Sequence, residues 1–261
     1  MPARAIWKGI LHLDGITVPV KLYSAVEDRK VRFRLLHEPD GVPLRRVTVH
    51  PETDEAVPYE EIHKGYETDD GKMVVLDDED LEALEPEPSR DIEITRFVDP
   101  SLLDHRWYDR PYYLGPDGPS DPYFALARAL GEEGKEGVAR WVMRKKEYTG
   151  ALRLERGYPM LITLRSAEEV LEAPELDSSP KAGLSENELA MARQLVSTLK
   201  DDFDPTEYED EYRHRVLELV SSKARGEILE LDRSRGGKEE EQSLAEALRA
   251  SLEAAEKRKA S

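Results

Sequence analysis

The first 172 residues read as short β-strands separated by frequent turns, and this pattern constrains the fold more than any other feature of the chain. Between residues 16 and 22 every second residue is apolar, and Ile92 and Ile94 alternate with polar neighbours in the same way. The same reading predicts further strands at residues 72–76, 138–146, 152–154 and 159–165. Many short strands with few helices favour a mainly β fold with some α, either a barrel or a sandwich.

Only two helices are predicted within this strand-rich part. The acidic residues 77–84 form a short helix that stops before Pro86, and Asp121 followed by Pro122 opens a longer one. A linker rich in Pro, Ser and Gly follows at residues 173–184. We therefore place a domain boundary at this linker.

Beyond the linker the apolar residues recur with a helical period. Ser185 and Glu188 have the spacing of a capping box, and Asp204 with Pro205 opens a second helix that Gly226 ends. Each helix has one apolar face and little remaining chain to pack against. We expect these helices to dock on another subunit or on the strand-rich domain.

The C-terminal residues carry a narrow leucine stripe on a run of strong helix formers. The stripe consists of Leu244, Leu248 and Leu252. It is too narrow to build a core, so we expect a helix that folds onto a partner, with a frayed terminal helix as the alternative. The chain is thus predicted to comprise a strand-rich domain (1–172), a linker and helical arm (173–232), and a flexible linker with a terminal helix (233–261).

Charge is spread unevenly along a chain whose net charge is −18. Residues 1–50 carry a net charge of +4, whereas residues 51–100 carry −14. Within the basic part lies a cationic stripe (Lys30, Arg32 and Arg34), with apolar residues at the alternate positions. In a strand, this spacing would place the apolar side chains on one face, towards a core, and the cationic side chains on the opposite, outer face. We predict such a strand and an anion beside it, a solvated strand face being the alternative.

Two further groups of cations accompany the stripe, one at Arg45 and Arg46 and one at the end of the predicted strand 138–146. The candidate phosphate-binding residues are Arg29, Lys30, Arg32, Arg34, Arg45, Arg46, Arg140, Arg144, Lys145 and Lys146. The aromatic residues at 107–113 are not interleaved with these cations, so base stacking is not indicated. Cations of this kind favour contacts to the phosphates of a duplex, without sequence readout.

Motifs for catalysis or metal binding are missing from the sequence. There is no cysteine, and residues 131–137 lack the spacing of a nucleotide-binding loop. The six histidines have no metal-ligand spacing, and the acids 77–80 read as a helix start rather than a metal loop. We therefore expect no enzyme activity, cofactor or metal. The absence of a membrane-length apolar run and of a signal peptide favours a cytoplasmic location.

The sequence also resembles the prokaryotic Ku family, whose members bind DNA ends in nonhomologous end joining. The resemblance starts with AIWKGIL at residue 5 and continues through VPVKLYSAVED and VRFRLLH. Later blocks of the same order and spacing are VPYEEIHKGYE (57–67), KMVVLDDEDLEALEP (72–86), IEITRFVDPSLLD (92–104), WYDRPYYLGPD (107–117) and SLAEALRASLE (243–253). Nearly the whole chain is covered.

This resemblance implies a β-barrel core, an extended bridge that arches over DNA, and a helical arm that embraces a second subunit. The homodimer would form a ring through which a free duplex end threads, and the leucine stripe would recruit the ATP-dependent DNA ligase D. By position in the family pattern, the cationic stripe begins near the bridge and Arg144–Lys146 lie beside it. Some relatives have a cysteine pair near residues 47–57, which is absent here, so no metal is expected.

Three functions remain to be distinguished, of which the first is the one that the resemblance implies. The first is a non-enzymatic homodimer that binds double-stranded DNA ends and works in the cytoplasm at the nucleoid. The second is an interaction scaffold whose basic patch recognises an acidic partner. The third is a metal-dependent nuclease that uses the acids at 77–80. Salt-sensitive binding to duplex DNA of any sequence distinguishes the first from the second, and cleavage of DNA with magnesium or manganese tests the third.

Overall fold

The computed structural model describes residues 4–174, 185–200, 202–226 and 248–251. The chain divides into two compact units, one of Met1–Arg29 with Phe33–Glu172 and one of Lys30–Arg32 with Ala173–Ser261. Its regular elements, in chain order, are β1 (Trp7–Leu13), β2 (Ile16–Ser24), β3 (Lys64–Glu67), β4 (Met73–Leu76), α1 (Asp78–Ala83), β5 (Asp91–Val98), β6 (Tyr108–Pro116), α2 (Asp121–Glu133), β7 (Glu136–Met143), β8 (Lys146–Glu155), β9 (Tyr158–Leu164), α3 (Glu186–Thr198) and α4 (Glu211–Ala224).

Seven strands of the first unit close into a barrel in the order β1-β2-β6-β9-β8-β7-β5. All neighbours are antiparallel except β5 and β1, which pair in parallel with Leu11 opposite Ile92 and so close the barrel. The prediction of a mainly β fold built on a barrel is thus confirmed, and the sandwich alternative is wrong.

Alternation along the strands fills the barrel, because one residue in two points inwards. The large buried side chains of the core cluster include Leu11, Val18, Val20, Leu22, Ile92, Leu114, Trp141, Leu152 and Leu161. Burial of each large apolar side chain stabilises the fold by about 1.5–3 kcal/mol. Helix α2 adds Leu130 and Tyr123, whose hydroxyl donates to the carbonyl oxygen of Leu114 at 2.7 Å.

Trp141 fits inside the barrel because residue 150 on the adjacent strand has no side chain. A Cβ atom at Gly150 would lie 2.6 Å from the Trp141 ring and 2.7 Å from the carbonyl oxygen of Ile162. The ring stacks instead on Tyr148, with the two centroids 5.4 Å apart.

Residues 25–90 form an inserted segment between β2 and β5. It contains the antiparallel pair β3–β4 and the short helix α1, which begins with a capping box formed by Asp77 and Asp80. The cationic stripe falls within this segment, and the predicted strand at residues 30–35 is wrong, because β2 ends at Ser24 and no strand pairs with the stripe. Phe33, expected in a core, is 67% exposed.

The second unit contains the two predicted helices. Ser185 accepts from the backbone N–H of Glu188, so the predicted capping box at the start of α3 is confirmed. The helix expected at Asp204 starts later, because Asp204 caps only the 3₁₀ turn Pro205–Glu207, and Asp210 caps α4. Gly226 follows α4 with φ +78°, the left-handed conformation expected after a helix end.

The leucine stripe is only partly covered by the described residues. Residues 248–251, which include Leu248, are helical. Leu244 and Leu252 lie outside the described residues, so the stripe and its role stay predictions.

Candidate nucleic-acid interface

Both connections between the barrel and the inserted segment lie at the same end of the barrel. Antiparallel pairing places the end of each strand beside the start of its neighbour, so β2 ends where β6 begins, and β9 and β7 end where β8 begins. The inserted segment leaves the barrel after Ser24 and returns at Asp91, the start of β5, at the same end. We call this the arch end of the barrel. Helix α2 connects β6 to β7 at the opposite end.

The tight turn between β7 and β8 places two cations at the arch end. Arg144 (φ +54°) and Lys145 (φ +64°) are both left-handed, which is the backbone of a two-residue hairpin turn that Asn-Gly usually occupies. Residues other than glycine adopt this backbone at a cost of about 1 kcal/mol or more each. The predicted strand 138–146 is therefore two strands, with the cations at the turn between them.

Two more cations lie over aromatic rings at this end. The Arg110 guanidinium is 5.9 Å from the ring centroid of Tyr112, and the Lys146 ammonium is 5.4 Å from that of Tyr148. We group Arg110, Arg144 and Lys146 as the arch-end cations. Within the described part of the chain, none of the three side chains forms an ion pair. Their charges are thus available to a ligand.

Sequence reasoning missed Arg110 and its aromatic neighbour. Each of these cations lies two residues before its ring on the same strand, Arg110 and Tyr112 on β6 and Lys146 and Tyr148 on β8, so the two side chains share one face of the strand. Tyr112 is largely buried, however, so its ring supports the guanidinium rather than offering a surface for base stacking. Arg110 shares a short run with the tyrosines, and this local pattern was the available signal.

Lys145 differs from the cations on either side of it because it is already paired. Its Nζ atom lies 2.9 and 3.1 Å from the two carboxylate oxygens of Glu85, in the inserted segment. The hydrogen bond to Glu85 raises the pKa of Lys145 above its usual value, and the charge of Glu82 adds to the effect. The predicted phosphate contact of Lys145 is untested, and this ion pair competes with it.

The remaining candidates are exposed and lie in several places. Arg45 and Arg46 lie in the inserted segment, and Arg140 projects from the outer face of β7. Arg29 pairs with Glu27 at 3.0 Å. In the cationic stripe, Lys30 and Arg32 belong to the second unit and Arg34 to the first. Of the predicted set, Arg144, Lys145 and Lys146 lie at the arch end of the barrel, where the structure adds Arg110.

The buried charge of the barrel lies outside this cluster. Glu136 is 2% exposed, accepts from the Tyr108 hydroxyl at 2.6 Å and pairs with Arg153 at 3.3 Å. Burial, together with the hydrogen bond to Glu136, raises the pKa of Tyr108 to about 12. The network thus links Tyr108, the first residue of β6, to Glu136, the first residue of β7.

The described part of the chain offers neither a metal-binding cluster nor a membrane-spanning helix. In residues 4–174, 185–200, 202–226 and 248–251, no group of three or more His, Cys, Asp or Glu side chains is placed to hold a metal ion. No helix among the same residues is both long and apolar enough to cross a membrane.

Comparison with known proteins gives a consistent result. The family model described as the Ku70/Ku80 beta-barrel domain matches residues 12–191. A protein of Anaeromyxobacter sp. (strain K) is 40% identical over 260 residues, which are 98% of this chain and 87% of that protein. Relatives from Mycolicibacterium smegmatis (37% over 230 residues, 85% of this chain and 72% of theirs) and Archaeoglobus fulgidus (35% over 253 residues, 96% and 99%) share its name, Non-homologous end joining protein Ku. With this barrel and this coverage, the chain belongs to the Ku family.

Proposed function

We propose that this chain is a non-enzymatic protein that binds the ends of double-stranded DNA in nonhomologous end joining. The names of its relatives support this role. The observation that carries it is the arch end of the barrel, where three cations that form no ion pair within the described residues lie between the two connections to the inserted segment. Cations without a recognition helix suit the phosphate backbone, which is the same in every sequence.

We further propose that the protein acts as a homodimeric ring. The inserted segment supports this step, because many of its large apolar side chains are exposed in the single chain. These are Val26, Phe33, Leu35, Leu36, Val42, Leu44, Val47, Val49, Tyr59, Ile62, Tyr66, Met73, Val74, Val75 and Leu84. Exposed apolar surface of this extent marks a protein interface. A second copy of the same segment would cover it through a symmetric contact.

A ring accounts for end specificity where phosphate contacts cannot. The backbone of a duplex is alike at its ends and in its middle, so only a closed loop selects a free end. Basic residues inside the ring and acidic residues outside it also reconcile the net charge of −18 with a polyanionic ligand. The terminal leucine stripe would then recruit DNA ligase D, and the complex would act in the cytoplasm at the nucleoid.

Sedimentation equilibrium and duplex binding at several salt concentrations test this proposal together. We expect a dimer, and an affinity for linear duplex that is independent of sequence and falls steeply with salt. A monomer would refute the ring. Failure to bind plain duplex would refute the DNA-binding role and favour a scaffold that recognises an acidic protein.

A further inference from the structure

We propose that Glu85 withholds Lys145 from DNA, so that the acidic end of the inserted segment competes with the phosphate backbone for one cation at the arch end. This inference rests on the proposed binding of duplex DNA and specifies how that site is regulated. It assigns different roles to three consecutive cations that the sequence does not distinguish.

The contact itself is well formed for an exposed ion pair. The Nζ atom of Lys145 reaches both carboxylate oxygens of Glu85, at 2.9 and 3.1 Å. The two residues are 60 positions apart, so the pair joins the inserted segment to the β7–β8 turn rather than stabilising a local turn. The Glu85 side chain is 33% exposed and that of Lys145 65%, so Lys145 remains within reach of a competing anion.

The backbone holds Glu85 in position. Its N–H donates to the carbonyl oxygen of Glu82 at 3.1 Å, just beyond the end of α1. Pro86 follows and restricts the backbone of the residue before it. The carboxylate is therefore presented by a defined chain segment and not by a free loop.

Glu85 lies near the end of a continuous acidic run. Residues 77–87 contain seven Asp and Glu and no Lys or Arg. The start of the run also has partners, since Asp78 pairs with Lys64 at 2.9 Å and Asp77 contacts the His63 ring at 3.3 Å. Such a run carries closely spaced negative charge, as a nucleic-acid backbone does. Through Glu85 it pairs with a cation that the DNA backbone would otherwise contact.

The cations flanking Lys145 have no such partner. Arg144 and Lys146 form no ion pair with any residue in the described ranges. Among these three cations, Lys145 alone forms an ion pair within the described residues. While this pair is closed, Lys145 does not contact phosphate, so we expect the wild-type arch end to bind one phosphate fewer than its composition indicates.

Salt-dependent binding of a short blunt duplex to four forms of the full chain tests this competition. The forms are the wild type, Glu85→Gln, the double variant Glu85→Gln/Lys145→Met, and the control Glu87→Gln. Glu87 is an exposed acid of the same run that forms no ion pair within the described residues. The control therefore removes the same charge without releasing a lysine.

We expect Glu85→Gln to steepen the dependence of log affinity on log salt by about 0.9, which is the contribution of one bound phosphate. If the affinities of Glu85→Gln and Glu87→Gln are equal at about 1 M salt, Glu85→Gln should then bind about eightfold more tightly at about 0.1 M salt. The double variant should have the wild-type slope. Equal slopes for Glu85→Gln and Glu87→Gln would overturn the inference. So would a double variant whose slope is shallower than wild type by about 0.9, since Lys145 would then bind phosphate in the wild-type protein.

A measurement without DNA separates this inference from the proposed function. The pKa of Lys145, followed by NMR in the free protein, should be raised in the wild type and fall on Glu85→Gln. An unchanged pKa would show that the pair does not form and would overturn the inference while leaving DNA binding intact. A raised pKa in a protein that fails to bind duplex would instead refute the proposed function, and the competition with it.

Discussion

Neutralising the arch-end cations should weaken DNA binding by an amount that their number predicts. Arg110, Arg144 and Lys146 are unpaired within the described residues, so each can bind one phosphate. Each bound phosphate contributes about 0.9 to the slope of log affinity against log salt, so replacing all three cations by Ala should flatten the slope by about 2.7. When the salt concentration rises from about 0.05 to about 0.2 M, the affinity of each protein falls by some factor, and that factor should be about 40 times smaller for the variant than for the wild type.

Fluorescence anisotropy with a labelled duplex at several salt concentrations measures this slope. The matched control for the single variant Arg144→Ala is Arg128→Ala, on α2 at the opposite end of the barrel, where the arginine is paired with Glu132 at 2.7 Å. Both variants change the net charge equally, but only Arg144→Ala should flatten the slope, by about 0.9. Equal effects of the two would show that total charge matters and that the arch end is not the contact surface.

Three further predictions concern other parts of the chain. Replacing the cationic stripe by Ala should weaken binding equally for duplexes of different sequence and flatten the salt slope by about 0.9 for each phosphate that is no longer bound; an unchanged slope would remove the stripe from the interface. Deleting residues 236–261 should leave DNA binding intact and abolish stimulation of DNA ligase D in a joining assay, and surviving stimulation would show that the tail is not the recruiting element. Gly150→Ala should destabilise the protein to urea by about 1–3 kcal/mol, because the new methyl group meets the Ile162 carbonyl at 2.7 Å. Its control, Gly131→Ala in α2, meets only the movable end of a leucine side chain and should be nearly neutral.

Local features were predictable because a few neighbouring residues determine them. The capping box of Ser185 and Glu188 is formed within a single turn of helix, and the left-handed conformation of Gly226 depends only on the helix end that precedes it. Strand alternation likewise identified the mainly β class, because inward residues such as Val18 and Val20 are consecutive positions of one face, but it left barrel and sandwich open.

The cationic stripe shows where alternation is insufficient. A period of two indicates a strand only when another strand pairs with it, and residues 30–35 pair with no strand in the part of the chain that the structure describes. Phe33 and Leu35 are apolar and exposed here, so the pattern that favours a core is equally consistent with a contact to a second chain. The sequence of one chain does not distinguish these two origins.

The arch end could not be assembled from sequence because its residues are distant along the chain. Arg110 and Lys146 come from strands that meet only through β9, and Glu85 reaches Lys145 across 60 residues. Runs of cations could be found by inspection. Which of them are already paired depends on barrel closure and on the return of the inserted segment, and both are tertiary properties.

The most direct test of the central claim compares one plasmid as linear DNA and as covalently closed circles at moderate salt. We expect binding to the linear form alone, and retention of the protein on DNA that is closed after loading, because a ring cannot leave a circle without opening. Equal binding to both forms would contradict threading and reduce the function to nonspecific association of a basic surface with DNA.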